Sequence, residues 1–168
     1  MDILFYVAAV VAVLATALAI TRRNAVHGLL YLIVSLLAVA LIFFVVGAPF
    51  VAALEVIIYA GAIMVLFVFV MMLLNLGPQS ADQERRWLPP GVWSGPLALA
   101  IVLFGELLYV IGSATLASTG AEIGPVEVGI ALYGPYALGV EIASMLLLAG
   151  LVGAYHLGRR ETERSGGG

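Results

Sequence analysis

The stretch ALEVIIYAGAIMVLFVFVMMLLN, from Ala53 to Asn75, decides the fold. A helix rises ~1.5 Å per residue and needs about 20 residues to cross the hydrocarbon core, and this run supplies them without a lysine, arginine or proline. Three residues interrupt its apolar character: Glu55, Tyr59 and Gly61. An ionisable group on such a helix costs roughly 3 kcal/mol on insertion scales, so Glu55 must face protein, water or a partner charge rather than lipid.

The rest of the chain has the same character. Hydrophobic residues make up 64% of the sequence and charged residues 10%, with a mean hydropathy of +1.17, which identifies an integral membrane protein. There is no cysteine, and His27 and His156 are the two histidines, so the chain offers no disulfide, no thiolate metal site and no axial haem pair beyond those two. No redox centre is expected within it. A net charge of −3 and the lack of a basic stripe exclude nucleic acid as a partner.

Working outward, five runs of spanning length are found at about 3–20, 26–46, 50–74, 92–113 and 136–157. They predict an all-α, five-span integral membrane protein, one transmembrane domain over 1–168 with a flexible tail at 158–168. An odd number of spans puts the termini on opposite sides. Arg22 and Arg23, Arg85 and Arg86, and Arg159, Arg160 and Arg164 then all fall on one face. The positive-inside rule makes that face cytoplasmic and leaves the N-terminus outside. The first run carries Asp2 before it and its arginines after it, the arrangement of an N-out anchor rather than a cleaved signal.

The connections differ in kind. Gly47-Ala48-Pro49 is a tight turn, whereas 77–90 (GPQSADQERRWLPP) is a polar loop closed by Pro89 and Pro90. In the long outer connection, 114–134, the alternation of Val126, Val128, Ile130 and Leu132 suggests a short strand or an interfacial segment. Trp87, Trp93, Tyr133 and Tyr136 flank the spans as interfacial belts.

Three carboxylates lie inside spans: Glu55, Glu106 and Glu141. Counted from the outer helix ends they sit on the order of 7 to 11 Å deep, all in the outer half of the bilayer. With no basic residue of this chain at that depth, burial favours the uncharged form, and acids of that kind can load and release protons. Each has a plainer reading. Glu141 follows the turn at Gly134-Pro135-Tyr136 and can be a headgroup-level acid at a helix N-terminus, while Glu106 can bond a neighbouring helix. Glu55 is the stronger candidate, because Tyr59 four residues on shares its helix face.

Gly61 adds a mechanical element. Glycine weakens a helix by roughly 1 kcal/mol, and Ala60-Gly61-Ala62 has little bulk to resist an inserted residue, so a π-bulge can form there. One extra residue in a turn rotates everything beyond it by about 100°, exchanging Met64, Leu66 and Phe67 on the face that continues from Tyr59. The helix could thus act as a gate. The competing reading of the same residues is a small-residue packing notch. Met64, Met71 and Met72 suit packing, and His27 and His156 suit anchoring at the cytoplasmic interface.

Two blocks carry a family resemblance. Asn24 to Leu36 (NAVHGLLYLIVSL) together with Ala53 to Asn75, and then Leu132 to Gly150 (LYGPYALGVEIASMLLLAG) onward to Arg160, resemble the J subunits of bacterial respiratory complex I, the counterparts of mitochondrial NADH dehydrogenase subunit 6. The resemblance implies a membrane-arm component of a proton-translocating NADH:quinone oxidoreductase in the inner membrane. Such an assembly uses NADH, FMN, iron–sulfur clusters and quinone, with none of these held by this chain and quinone nearby. It implies neighbours of types A, H, K and N. It also implies a π-bulge in the third helix, at Tyr59 to Gly61 and onward through Met64, whose α/π change accompanies movement between enzyme states. Taken alone, the residues also accommodate a small subunit of a cation/proton antiporter or membrane-bound hydrogenase assembly, and a purely structural scaffold.

Because the chain lacks cysteine, single cysteines report its topology cleanly. A membrane-impermeant maleimide applied from the periplasmic side is expected to label Ser118→Cys and to spare Ser80→Cys; the opposite pattern inverts the assignment.

Overall fold

The computed structural model describes residues 2–22, 25–74, 93–114 and 122–158. In hydrocarbon, backbone N–H and C=O groups find no water, so a spanning segment must satisfy them internally as a helix. Among the described residues every regular element is helical. They are α1 (Asp2–Thr21), α2 (Ala25–Val45), α3 (Pro49–Leu54), a π segment (Glu55–Ile63), α4 (Met64–Leu74), α5 (Ser94–Ala114), α6 (Pro125–Tyr133) and α7 (Ala137–Gly158). Five helical stretches are long and apolar enough to cross a membrane, the third running through α3, the π segment and α4. Their ends fall within a residue or two of the expected spans. The loop 77–90 and the tail from Arg159 lie outside the described residues.

The alternating stretch after Gly124 is not a strand. Pro125 opens α6, where its missing N–H costs nothing and its fixed φ suits a helix. Val126, Ile130 and Tyr133 also fit a helical period, and an unpaired strand would leave a row of backbone groups unsatisfied.

The chain divides into two compact units, Met1–Gly124 and Pro125–Gly168. The first is built on the α1/α2 hairpin. Ala8, Ala15 and Ala38 are fully buried between these helices, with Val11, Val34, Leu41 and Leu103 of α5 completing the core. Small residues at the seam let the backbones approach closely, the usual basis of packing where lipid removes any hydrophobic drive between helices. A polar node sits within it. Thr16 Oγ1 donates to the Ala12 carbonyl (2.8 Å) and lies 2.7 Å from Ser35 Oγ, which also reaches Ala12 O (3.2 Å). Interhelical bonds of this kind contribute about 0.6 kcal/mol each.

At the end that bears Arg22, three helices are tied together. The Arg22 guanidinium lies 5.4 Å from the centroid of the Tyr31 ring, a cation–π contact of about 0.5–1 kcal/mol at an exposed site. The Tyr31 hydroxyl fills the space above Gly95 of α5 that a side chain would otherwise take.

The other end of α2 closes in a tight cap. Gly47 takes φ 86°, and the bonds Ala48 N–H to Phe43 O (2.9 Å) and Gly47 N–H to Phe44 O (3.1 Å) form the paired pattern of a Schellman motif. Pro49 then starts α3 at once. Ile123 N–H donates to Gly47 O (2.9 Å), so the segment leading out of the first unit is fastened to this turn. In the second unit α6 packs against α7 across the turn Gly134 to Tyr136, where Tyr136 N–H bonds Ala131 O (3.1 Å).

Gly28 of α2 sets the closest approach of the hairpin, since a Cβ there would lie 2.8 Å from the backbone oxygen of Ala19. Gly28→Ala therefore has to spread α1 and α2, at the ~1–3 kcal/mol typical of overpacking. Reduced membrane accumulation of the variant is expected, and Gly28→Ala accumulating as wild type would show that the hairpin yields freely.

Candidate functional site

The third span carries most of the exceptional residues, and its backbone departs from α geometry where they lie. α3 begins at Pro49 and ends at Leu54; the π segment then runs over nine residues, EVIIYAGAI, before α4 resumes at Met64. The junctions are continuous, with Glu55 N–H reaching Ala52 O and Val51 O, and Met64 N–H reaching Gly61 O and Tyr59 O. No backbone donor is abandoned at either junction, so the wider turn is compatible with a hydrocarbon setting.

The expected bulge at Tyr59 to Gly61 lies inside this segment. The π geometry is longer than a single bulge, starting at Glu55 itself and ending just before Met64. Gly61 shows why the sequence allows it: a Cβ at this position would stand 3.1 Å from the carbonyl oxygen of Val56, five residues back, tighter than an ordinary contact. The absence of a side chain leaves the wide turn uncrowded.

Side chains along the span sort by depth in the unit. Glu55 and Gly61 are half-buried, Tyr59 is 48% exposed, and Met64 is buried at 4%. Glu55 and Tyr59 stay near one another in azimuth, since four residues nearly complete a turn in either helix type. Met64 is the point where the α-helix restarts and is also packed into the unit, so a change of register upstream acts first on a buried side chain.

Glu106, on α5, is the most enclosed acid of the three. Its side chain is 8% exposed, and neither carboxylate oxygen has a hydrogen-bond partner among the described residues. It follows Leu99 and Leu103 at intervals of four and three, the face α5 turns to the α1/α2 core. Glu55 and Glu106 therefore do not bond each other. Between the helices that carry them lies an apolar cavity of about 650 Å³, walled by Leu37 and Leu41 of α2, Ala52 and Val56 of the third span, and Leu103 and Leu107 of α5. Val56 and Leu107 are the residues that follow the two acids, yet neither acid lines the cavity. Glu141 stands exposed on α7 in the second unit.

The histidines are peripheral. His27 opens α2 with Nε2 enclosed and unpartnered among the described residues, and His156 is exposed in the last turn of α7. Among the described residues no group of His, Asp and Glu could hold a metal ion. Sequence reasoning missed the Thr16–Ser35 node; the available signal was a hydroxyl in each of two consecutive apolar spans.

The family model for NADH-ubiquinone/plastoquinone oxidoreductase chain 6 matches residues 15–157, from the last turns of α1 to the penultimate residue of α7. The chain belongs to the chain 6 family. Curated relatives in that family match nearly the whole of it. It is 60% identical to NADH-quinone oxidoreductase subunit J of Pseudomonas aeruginosa, over 98% of this chain and 100% of that one. It is 54% identical to subunit J of Escherichia coli K12, over 96% of this chain and 88% of the relative. Subunit J of Buchnera aphidicola subsp. Schizaphis graminum is 48% identical, over 96% and 99% of the two chains.

A chain 6 family member that keeps two enclosed, unpartnered carboxylate oxygens does so at about 1–3 kcal/mol or more. Glu106→Leu removes that penalty, so the variant is expected to assemble at wild-type level or above, and if the acid is a proton station as expected from the sequence, the proton yield per electron falls in inverted membrane vesicles. An unchanged yield would make Glu106 a packing residue.

Proposed function

We propose that the third span gates the coupling between quinone chemistry and proton movement in an NADH:quinone oxidoreductase of which this chain is a membrane-arm subunit. The observation that carries the reading is the π segment: a stretch that keeps its backbone bonds in a wider turn, starts at a carboxylate and contains the glycine that permits it.

Conversion of one π turn to α removes one residue from that turn and rotates the following helix by about 100°. The rotation replaces Met64 with a different apolar side chain at the same level of the bundle and moves Tyr59 relative to Glu55. Opening or closing an apolar constriction in this way changes whether water, and with it protons, can reach an acid on the far side. Glu55 lies on the moving helix and Glu106 on α5 across the apolar cavity, so the two serve as consecutive proton stations separated by a gate. Nearby quinone reduction supplies the bias between the two registers, which must differ by only a few kcal/mol to be switched. The chain holds no cofactor of its own; FMN, iron–sulfur clusters and the NADH and quinone sites belong to other subunits.

In this reading the N-terminus is periplasmic and the arginine-bearing ends are cytoplasmic, in the bacterial inner membrane. Subunits of types A, H, K and N adjoin the chain.

Two substitutions test the gate. In Gly61→Val the new side chain presses on the Val56 carbonyl in the π form, and ~1–3 kcal/mol of overpacking shifts the register equilibrium about 5- to 160-fold toward α. Quinone reduction coupled to pumping is expected to fall with the complex still assembled, whereas normal turnover and pumping would dismiss the gate. Glu55→Gln retains shape and removes ionisation. A proton yield untouched by this change would leave Glu55 without a role in the path.

A further inference from the structure

No residue of α7 is buried, although the helix is 22 residues long and apolar enough to span a membrane. The one carboxylate within the span is Glu141, while Tyr155 and His156 lie near the opposite end of the helix. Glu141 is the fifth residue of α7, beyond the first turn, where the favourable field of a helix N-terminus has fallen away. Centring the helix on a ~30 Å hydrocarbon core puts the Cα of Glu141 roughly 4–5 Å inside the boundary. A carboxylate at that level needs a partner.

The chain cannot supply one from within the bilayer. It has no lysine, and Arg22, Arg23, Arg85, Arg86, Arg159, Arg160 and Arg164 all lie outside the five spans. The face around Glu141 is shaped for a close neighbour. Ala137 lies one turn before it and Ser144 one turn after, both small, with Leu148 beyond. The Ser144 hydroxyl donates to the Glu141 carbonyl (2.7 Å) and so is satisfied on its own helix. The carboxylate is what remains to be met from outside.

We infer that α7 docks through Ala137, Glu141, Ser144 and Leu148 onto a transmembrane helix of another subunit of the same complex, one that carries a lysine or arginine opposite Glu141. The inference rests on the chain working inside a multi-subunit assembly and is independent of any register change in the third span. Removing one member of an enclosed ion pair strands the other charge, whereas neutralising both restores balance.

The test uses the purified intact complex. A benzophenone maleimide is attached to Ser144→Cys or, on the opposite side of α7, to Leu146→Cys, and the cross-linked peptide is sequenced. From position 144 the expected product is a membrane segment of another subunit with a lysine or arginine within one helical turn of the cross-link; position 146 does not capture that segment. In parallel, Glu141→Gln is expected to give several-fold less intact complex, and neutralising the basic residue so identified restores the amount. Cross-links from position 144 to lipid alone, to a segment without a basic residue in that turn, or to the same segment equally from both positions would overturn the assignment, as would wild-type assembly of Glu141→Gln. These readouts report docking and assembly, so they can fail while the third-span gate stands, or succeed while it falls.

Discussion

Backbone hydrogen bonding in a medium without water is the constraint on which the rest of this structure depends. Each amide of a spanning segment has to find its acceptor on the same segment, which leaves very few permitted conformations. A π turn is one of them: it exchanges each acceptor for its neighbour without stranding a donor. The third span can therefore hold an irregular stretch of nine residues in the bilayer, where a kinked or unwound stretch of that length would be costly. The proposed coupling role requires in addition that the π and α patterns of this segment differ by little energy.

Packing follows from the same medium. Lipid tails are as apolar as leucine, so the helices of the first unit are held by shape and by a few polar contacts rather than by escape from water. Fully buried alanines at the α1/α2 seam, the close approach at Gly28 and the Thr16–Ser35 pair are the visible results. Large apolar side chains consequently point outward, among them Phe67, Phe69, Leu146 and Leu147, and are available to lipid and to neighbouring subunits.

The spans were legible in the sequence because run length and the position of charged residues report the bilayer directly. The break in the third span was legible for a different reason: Ala60-Gly61-Ala62 is the place where side-chain bulk vanishes in an otherwise crowded helix. Its extent was not, since where a π stretch starts depends on many nearly equal backbone energies, and here it reaches back to Glu55. Of the two readings of Val126 to Leu132, the strand fails, because alternation over so few residues also fits a helical period and Pro125 suits a helix start. Contacts such as Tyr31 over Gly95 were beyond reach, as they join residues far apart in the chain whose types are common in any membrane protein. The enclosure of Glu106 was equally hidden: the sequence located an acid in a span but not the face it occupies.

The turn at Phe43 to Pro49 gives the third span an asymmetric boundary condition. One end is fixed: the Schellman bonds weld α3 to the end of α2, and the bond from Ile123 adds a second fastening at Gly47. The other end, α4, packs against α2 with Met64 buried at its start, but no backbone bond fastens it to another element among the described residues. Under the proposed gate, a register change between Glu55 and Ile63 would act as on a shaft held at one end, turning Met64–Leu74 rather than Pro49–Leu54. A neighbouring subunit that sensed such a change would then do so through α4.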